Sequence, residues 1–135
     1  MEVTIMYPIK VSVDFDSTLT KSSVQRFCSI LRKKGIEVHI TTSRCPGFRY
    51  GFGEYDNSDL YEIADQVGID PWNIHFTNGN FKSDYLSKDF LFHLDDDEYE
   101  LERITHIPAI DVNDSFSLQK CWNIIENEFK KRCLI

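Results

Sequence analysis

The chain has 135 residues, 41% of them hydrophobic and 13% aromatic, enough to bury a core in one domain and too apolar for a disordered chain. A formal net charge of −7 speaks against a general nucleic-acid coat, which needs clustered Lys and Arg. No apolar run reaches the roughly 18 residues of a membrane span, so no membrane partner is expected.

The start MEVTIMYPIK has neither a basic leader nor a small-residue cleavage site, which gives a cytoplasmic expectation. Ile9 to Phe15 alternates Val11, Val13 and Phe15 with Ser12 and Asp14, the period of a strand. Ser22 and Ser23 are candidate caps for a helix with Val24, Phe27, Cys28 and Leu31 on one face, stopped by Lys33, Lys34 and Gly35. IEVHIT, from Ile36, is a second strand, so residues 9–41 form a βαβ unit with parallel strands. Ser43 to Asn57 holds three of the six glycines, shows neither period and reads as a loop. Ser58 is the expected cap of a second helix carrying Leu60, Ile63, Ala64 and Val67 and ended by Gly68. Asn73 to Thr77 reads as a short strand, Lys82 to Lys88 as a short helix, FLFHL as a buried strand ending at Asp95, and AIDV as a further strand. The acidic run Asp95 to Glu102 reads as a solvated helix face or an acidic turn. A last helix, Phe116 to Lys131, presents Leu118, Cys121, Trp122, Ile125 and Phe129. Cys28, Cys45, Cys121 and Cys133 lack CxxC spacing and read as reduced packing thiols. This alternation predicts a single α/β domain over residues 1–135: a three-layer α/β/α, Rossmann-like fold with a mainly parallel sheet of about five strands.

In such sheets ligands bind beyond the carboxyl ends of the strands, and chemistry-bearing residues recur there. Asp14 and Asp16 follow the first strand, Thr42 the second, Lys82 opens a helix, and Asp95 and Asp96 end FLFHL. Each alone has a bland reading as a turn, a cap or a solvated side chain. His39 and His93 lie inside strands and read as core histidines.

Together these groups resemble the haloacid dehalogenase superfamily. VDFDSTLT matches its DxDx(T/V) signature, ITTSR its strand ending in Thr or Ser (Thr42, with Thr41 as fallback), FKSDYL its lysine (Lys82), and FLFHLDDD its strand ending in paired acids. Ser17 departs from the pattern, since many members carry Gly there. The resemblance implies Asp14 as nucleophile, Asp16 as general acid and base, Thr42 and Lys82 binding and balancing the phosphoryl group, and Thr18 orienting Asp16. It also implies Mg²⁺ held by Asp14, Asp95, Asp96 and the backbone carbonyl of Asp16. An acid at Asp16 favours phosphoryl transfer over dehalogenation, so the expected activity is that of a phosphomonoesterase.

About twenty residues separate Thr20 from Thr41, which leaves no room for a cap domain. Capless members often serve large substrates or borrow cover from another subunit, so a small or macromolecular phosphorylated substrate, including a nucleic-acid end, and an oligomer are all compatible. Substrate contacts are expected from the loop after Thr42. Ser43 belongs to it, Arg44 and Arg49 suit a second phosphate, and Phe48, Tyr50, Phe52 and Tyr55 suit a base. The same loop could equally pack over the sheet edge with Arg44 structural. Two other function classes stay open: a catalytically silent regulatory module on this fold, and a phosphoaccepting receiver-like domain, whose order of acids and lysine this chain does not follow.

Overall fold

The structure is a computed structural model describing residues 7–47 and 56–133. Its strands are β1 (Lys10–Val13), β2 (Glu37–Thr42), β3 (Ile74–Phe76), β4 (Phe90–Asp95) and β5 (Ala109–Asp111), and its helices are α1 (Ser22–Lys33), α2 (Ser58–Val67), α3 (Glu98–Arg103) and α4 (Ser117–Cys133). The five strands form one sheet in the order β3-β2-β1-β4-β5, and every pair is parallel. This is the expected Rossmann-like α/β architecture. Among the described residues no helix is long and apolar enough to cross a membrane.

Strand alternation separates two chemistries. One face carries Val11, Val13, Val38, Ile40, Phe92, Leu94 and Ile110, which pack with Val24, Phe27 and Leu31 of α1, Leu60 and Ala64 of α2, and Cys121 and Ile125 of α4 in one core. Each of the buried Val, Leu, Ile and Phe side chains contributes about 1.5–3 kcal/mol of burial free energy. Phe27 and Trp122 meet edge to face with centroids 5.2 Å apart and lock α1 to α4. The opposite face carries Ser12, Asp14, His39, Thr41, His93 and Asp95, all buried. It is covered more thinly, by the single turn Lys82–Tyr85, by α3, and by a small cluster of Leu86, Phe90, Ile104 and Ile107. A buried polar face is costly unless its groups are paired, and here they are paired with one another.

Three local expectations need correction. Ser22 and Ser58 are the first residues of α1 and α2 rather than their caps, and neither helix has a side-chain cap bond from its N-cap residue. At α2 the Asp56 carboxylate accepts the Ser58 N–H at 2.9 Å and supplies the oxygen instead. The Lys82 segment is one 3₁₀ turn, Lys82–Tyr85, and does not extend to Lys88. Phe129 is 37% exposed, at the edge of the α4 face. Gly35 and Gly68 end α1 and α2 with φ of 81° and 94°, the left-handed stop expected of them.

Candidate active site

The carboxyl end of β1 does not continue as a strand. Asp14 still donates its N–H to Leu94 O at 2.8 Å, and then a tight turn, Phe15–Leu19, reverses the chain, with Leu19 N–H reaching Asp14 O at 3.2 Å. Ser17 makes the reversal possible at φ 60°, in the left-handed region that favours glycine. The turn leaves Asp14 buried, exposes Asp16 and returns buried Thr18 towards Asp14.

Beside it, β4 ends in Asp95. Lys82 reaches in from the turn after β3, and its Nζ donates to Asp14 Oδ1 at 2.8 Å and to Asp95 Oδ2 at 2.7 Å. Lys82, Asp14 and Asp95 are 2%, 4% and 0% exposed, so these are desolvated ionisable groups whose pairing matters. Burial, reinforced by the charge of Asp95, pushes the Asp14 carboxyl up to about 8 against the pull of Lys82. Burial opposes ionisation of Asp95 and Lys82 too, but is overcome. Hydrogen bonding from His93 and the nearby Lys82 hold Asp95 well below the usual carboxylate range, and the two carboxylates hold Lys82 above its ordinary value.

Asp96 completes the group. Oxygens of Asp14, Asp95 and Asp96 all lie within 4.8 Å of one another, a hard-oxygen set of the kind that suits Mg²⁺ or Ca²⁺. Thr18 Oγ1 lies 3.4 Å from both Asp14 Oδ2 and Asp96 Oδ1. Its expected role in orienting Asp16 is therefore corrected: its hydroxyl serves Asp14 and Asp96. Asp97 is turned away as the cap of α3, accepting the Tyr99 N–H at 2.9 Å, which explains why the acidic triplet supplies two site carboxylates rather than three.

Asp16 stands apart from this cluster, with its carboxylate turned to Arg44. Arg44 spends most of its fork on two acids, reaching Asp16 Oδ1 at 2.7 Å and Oδ2 at 2.9 Å, and Asp59 Oδ1 at 2.8 Å and Oδ2 at 2.9 Å, and Nη1 also donates to Asn57 Oδ1 at 3.3 Å. Asp59, at the start of α2, is a participant that sequence reasoning missed. An acid in the first turn of a helix has a ready alternative reading as a helix-end charge.

Thr42 is fully buried at the end of β2, and its hydroxyl accepts the Arg44 N–H at 3.3 Å. The fallback Thr41 points to the polar face, its hydroxyl 2.8 Å from that of Ser12. Ser43 is exposed, and its carbonyl accepts the Gly79 N–H at 3.0 Å, tying the two loops together. Thr77, just past β3, has the one buried side-chain polar atom without a hydrogen-bond partner among the described residues, while its N–H donates to Thr42 O at 2.8 Å. Arg49, Phe48, Tyr50, Phe52 and Tyr55 lie outside the described residues. A concavity lined by Tyr7, Lys10, Glu37 and Asp89 lies at the amino-terminal ends of the strands, away from all these groups.

No protein-family model, curated protein or solved structure matches the chain.

Proposed function

We propose that this chain is a magnesium-dependent phosphomonoesterase of the haloacid dehalogenase type, with Asp14 as the nucleophile. One observation carries the reading. Carboxylates from the ends of two adjacent parallel strands, Asp14 on one side and Asp95 and Asp96 on the other, gather within 4.8 Å, and a buried lysine spans Asp14 and Asp95. Ser17 adds support: where many members of that superfamily have Gly, it adopts a φ of 60°, the conformation glycine supplies most cheaply.

Three acids against one lysine leave this pocket short of positive charge. A divalent cation held by Asp14, Asp95 and Asp96 would supply it and would shield the nucleophile from a phosphate dianion. Asp95 already accepts four hydrogen bonds, so a cation there competes with Lys82 for the carboxylate.

Asp14 attacks phosphorus, forming an aspartyl-phosphate as the bond to the leaving oxygen breaks, and Asp16 delivers a proton to that oxygen. Asp16 then takes a proton from water as the water attacks, releasing inorganic phosphate and restoring both carboxyls. The arrangement with Arg44 corresponds to the proton-accepting form of Asp16, because a carboxylate accepting two bonds from a guanidinium is ionised. In its acid form Asp16 keeps one bond from Arg44 through its carbonyl oxygen and carries its proton on the other oxygen. Lys82 offsets charge on the nucleophile, and the Thr42 hydroxyl lies at the strand end where phosphoryl oxygens would rest.

Incubation with an aryl phosphate and Mg²⁺ tests this. Phosphate release by the wild type, lost in a folded Asp14→Asn variant and on chelation, is the expected result. No release by the wild type, or undiminished release by Asp14→Asn, overturns the reading.

A further inference from the structure

The polar face of the sheet holds a continuous line of hydrogen bonds that the proposed chemistry does not use. Thr41 Oγ1 lies 2.8 Å from Ser12 Oγ, Ser12 Oγ lies 2.8 Å from His93 Nδ1, and His93 Nε2 lies 2.7 Å from Asp95 Oδ2. The line crosses β2, β1 and β4, and all four residues are 0% exposed.

Chemistry assigns every proton in it. In a neutral imidazole one ring nitrogen donates and the other accepts. An ionised carboxylate can only accept, so His93 donates through Nε2 and must accept at Nδ1. The donor there is the Ser12 hydroxyl, whose remaining lone pairs accept from Thr41. The far end of the line is equally determined: Asp95 Oδ1 accepts the N–H groups of Asp96 and Asp97 at 2.8 and 3.1 Å. One oxygen is thus fixed by backbone and the other by His93, with Lys82 as the remaining donor.

The register explains why these side chains meet. Ser12 pairs with His93 across β1 and β4, and side chains two apart on a strand share a face, which puts His93 beneath Asp95. A wholly buried imidazole is costly unless both nitrogens are satisfied. A leucine or phenylalanine would fill the same space without a network to maintain.

We propose that His93, oriented by Ser12 and Thr41, is a positioning residue that presets the Asp95 carboxylate for its cation. Groups that hold a metal-binding carboxylate through hydrogen bonds are typically worth about 10- to 100-fold in metal affinity. This rests on the reading of Asp14, Asp95 and Asp96 as a cation site.

The test is calorimetric titration of the metal-free protein with Mg²⁺, paired with the Mg²⁺ dependence of phosphate release. His93→Phe keeps a flat ring of slightly larger volume and leaves Ser12 and Thr41 bonded to each other. It is expected to weaken Mg²⁺ binding about 10- to 100-fold and to raise the Mg²⁺ concentration needed for half-maximal activity by a similar factor, with much of the rate returning at saturating Mg²⁺. Ser12→Ala, which removes the donor to Nδ1, is expected to weaken binding severalfold, and Thr41→Val less. A folded His93→Phe with wild-type affinity for Mg²⁺ overturns the inference. So does a folded Ser12→Ala with unchanged affinity, which keeps the question decidable if His93→Phe does not fold. Failure of the wild type to bind Mg²⁺ at all sinks the underlying reading of the site instead.

Discussion

Arg44 holds Asp16 at two points, with Nε 2.9 Å from Oδ2 and Nη2 2.7 Å from Oδ1. Two parallel bonds fix the direction of the carboxylate as well as its distance. If Asp16 is the acid and base of the reaction, its aim depends on this contact. Arg44→Ala is expected to lower kcat/KM for an aryl phosphate about 10- to 100-fold. Arg44→Lys should not rescue it, because an ammonium cannot reproduce a planar fork. Steady-state kinetics check this, and wild-type turnover in Arg44→Lys would show the two-point contact to be incidental.

Lys82 is the only cation that contacts Asp14 and Asp95 among the described residues. Lys82→Met leaves the buried Asp95 carboxylate without its cation, beside an Asp14 whose carboxyl is already pushed up, and is expected to cost about 3–5 kcal/mol of stability without metal. Added Mg²⁺ should recover part of this, and should raise the melting temperature more in the variant than in the wild type, since it binds only the folded site. Urea unfolding with and without MgCl₂ reads both quantities. A loss no larger than that of a surface pair, under about 1 kcal/mol, would contradict the buried arrangement.

Ser17 occupies left-handed backbone at φ 60°. A non-glycine residue there bears a penalty of roughly 1–2 kcal/mol, partly offset by the lower chain entropy it brings to the unfolded state. Ser17→Gly is expected to be neutral or to stabilise by up to about 1 kcal/mol, with activity intact. Ser17→Val should destabilise by about 1–2 kcal/mol. Chemical denaturation distinguishes these signs, and equal stability of the Gly and Val variants would rule out strain at this position.

Hydrogen bonds from Arg44 hold Asp59 below its ordinary pKa. A carboxyl whose folded pKa is depressed adds stability that is present above its unfolded value, near about 3.9, and lost as pH falls through the folded value. The contribution is small, because Asp59 is largely exposed and screened. Asp59→Asn should therefore lower the melting temperature slightly at pH 7, with the difference from wild type closing below about pH 4. A difference that persists unchanged to pH 2.5 would point to packing rather than charge.

Much of this architecture was legible in the chain alone. Val11, Val13, Val38, Ile40, Phe92 and Leu94 recur at strand period, and Phe27, Cys28 and Leu31 at helix period. Those periods decide which face is buried before any partner is known. The positions of Asp14, Asp95 and Asp96 at strand ends were equally legible, because a parallel sheet brings all its carboxyl ends to one edge. Local capping was not, since Ser22 and Ser58 look alike whether they stand at the N-cap or one residue inside it.

Whatever depends on period and order along the chain was therefore readable from the residues: the layers, the parallel strands, and which acids and which lysine share an edge. Tertiary structure alone decided what each polar group touches. His93 reads as a core histidine from its strand, and it is one, but only the register of β4 against β1 makes it the partner of Ser12 and Asp95. Thr18 turns to Asp14 and Asp96, Asp97 turns to cap α3, and Asp59 meets Arg44 across 15 residues. Apart from the Asp97 cap and the Thr18–Asp14 contact, which are local, these choices rest on a few ångströms of hydrogen-bond geometry between segments far apart in sequence. Such distances are set by how the elements pack, and no local pattern of residues encodes them.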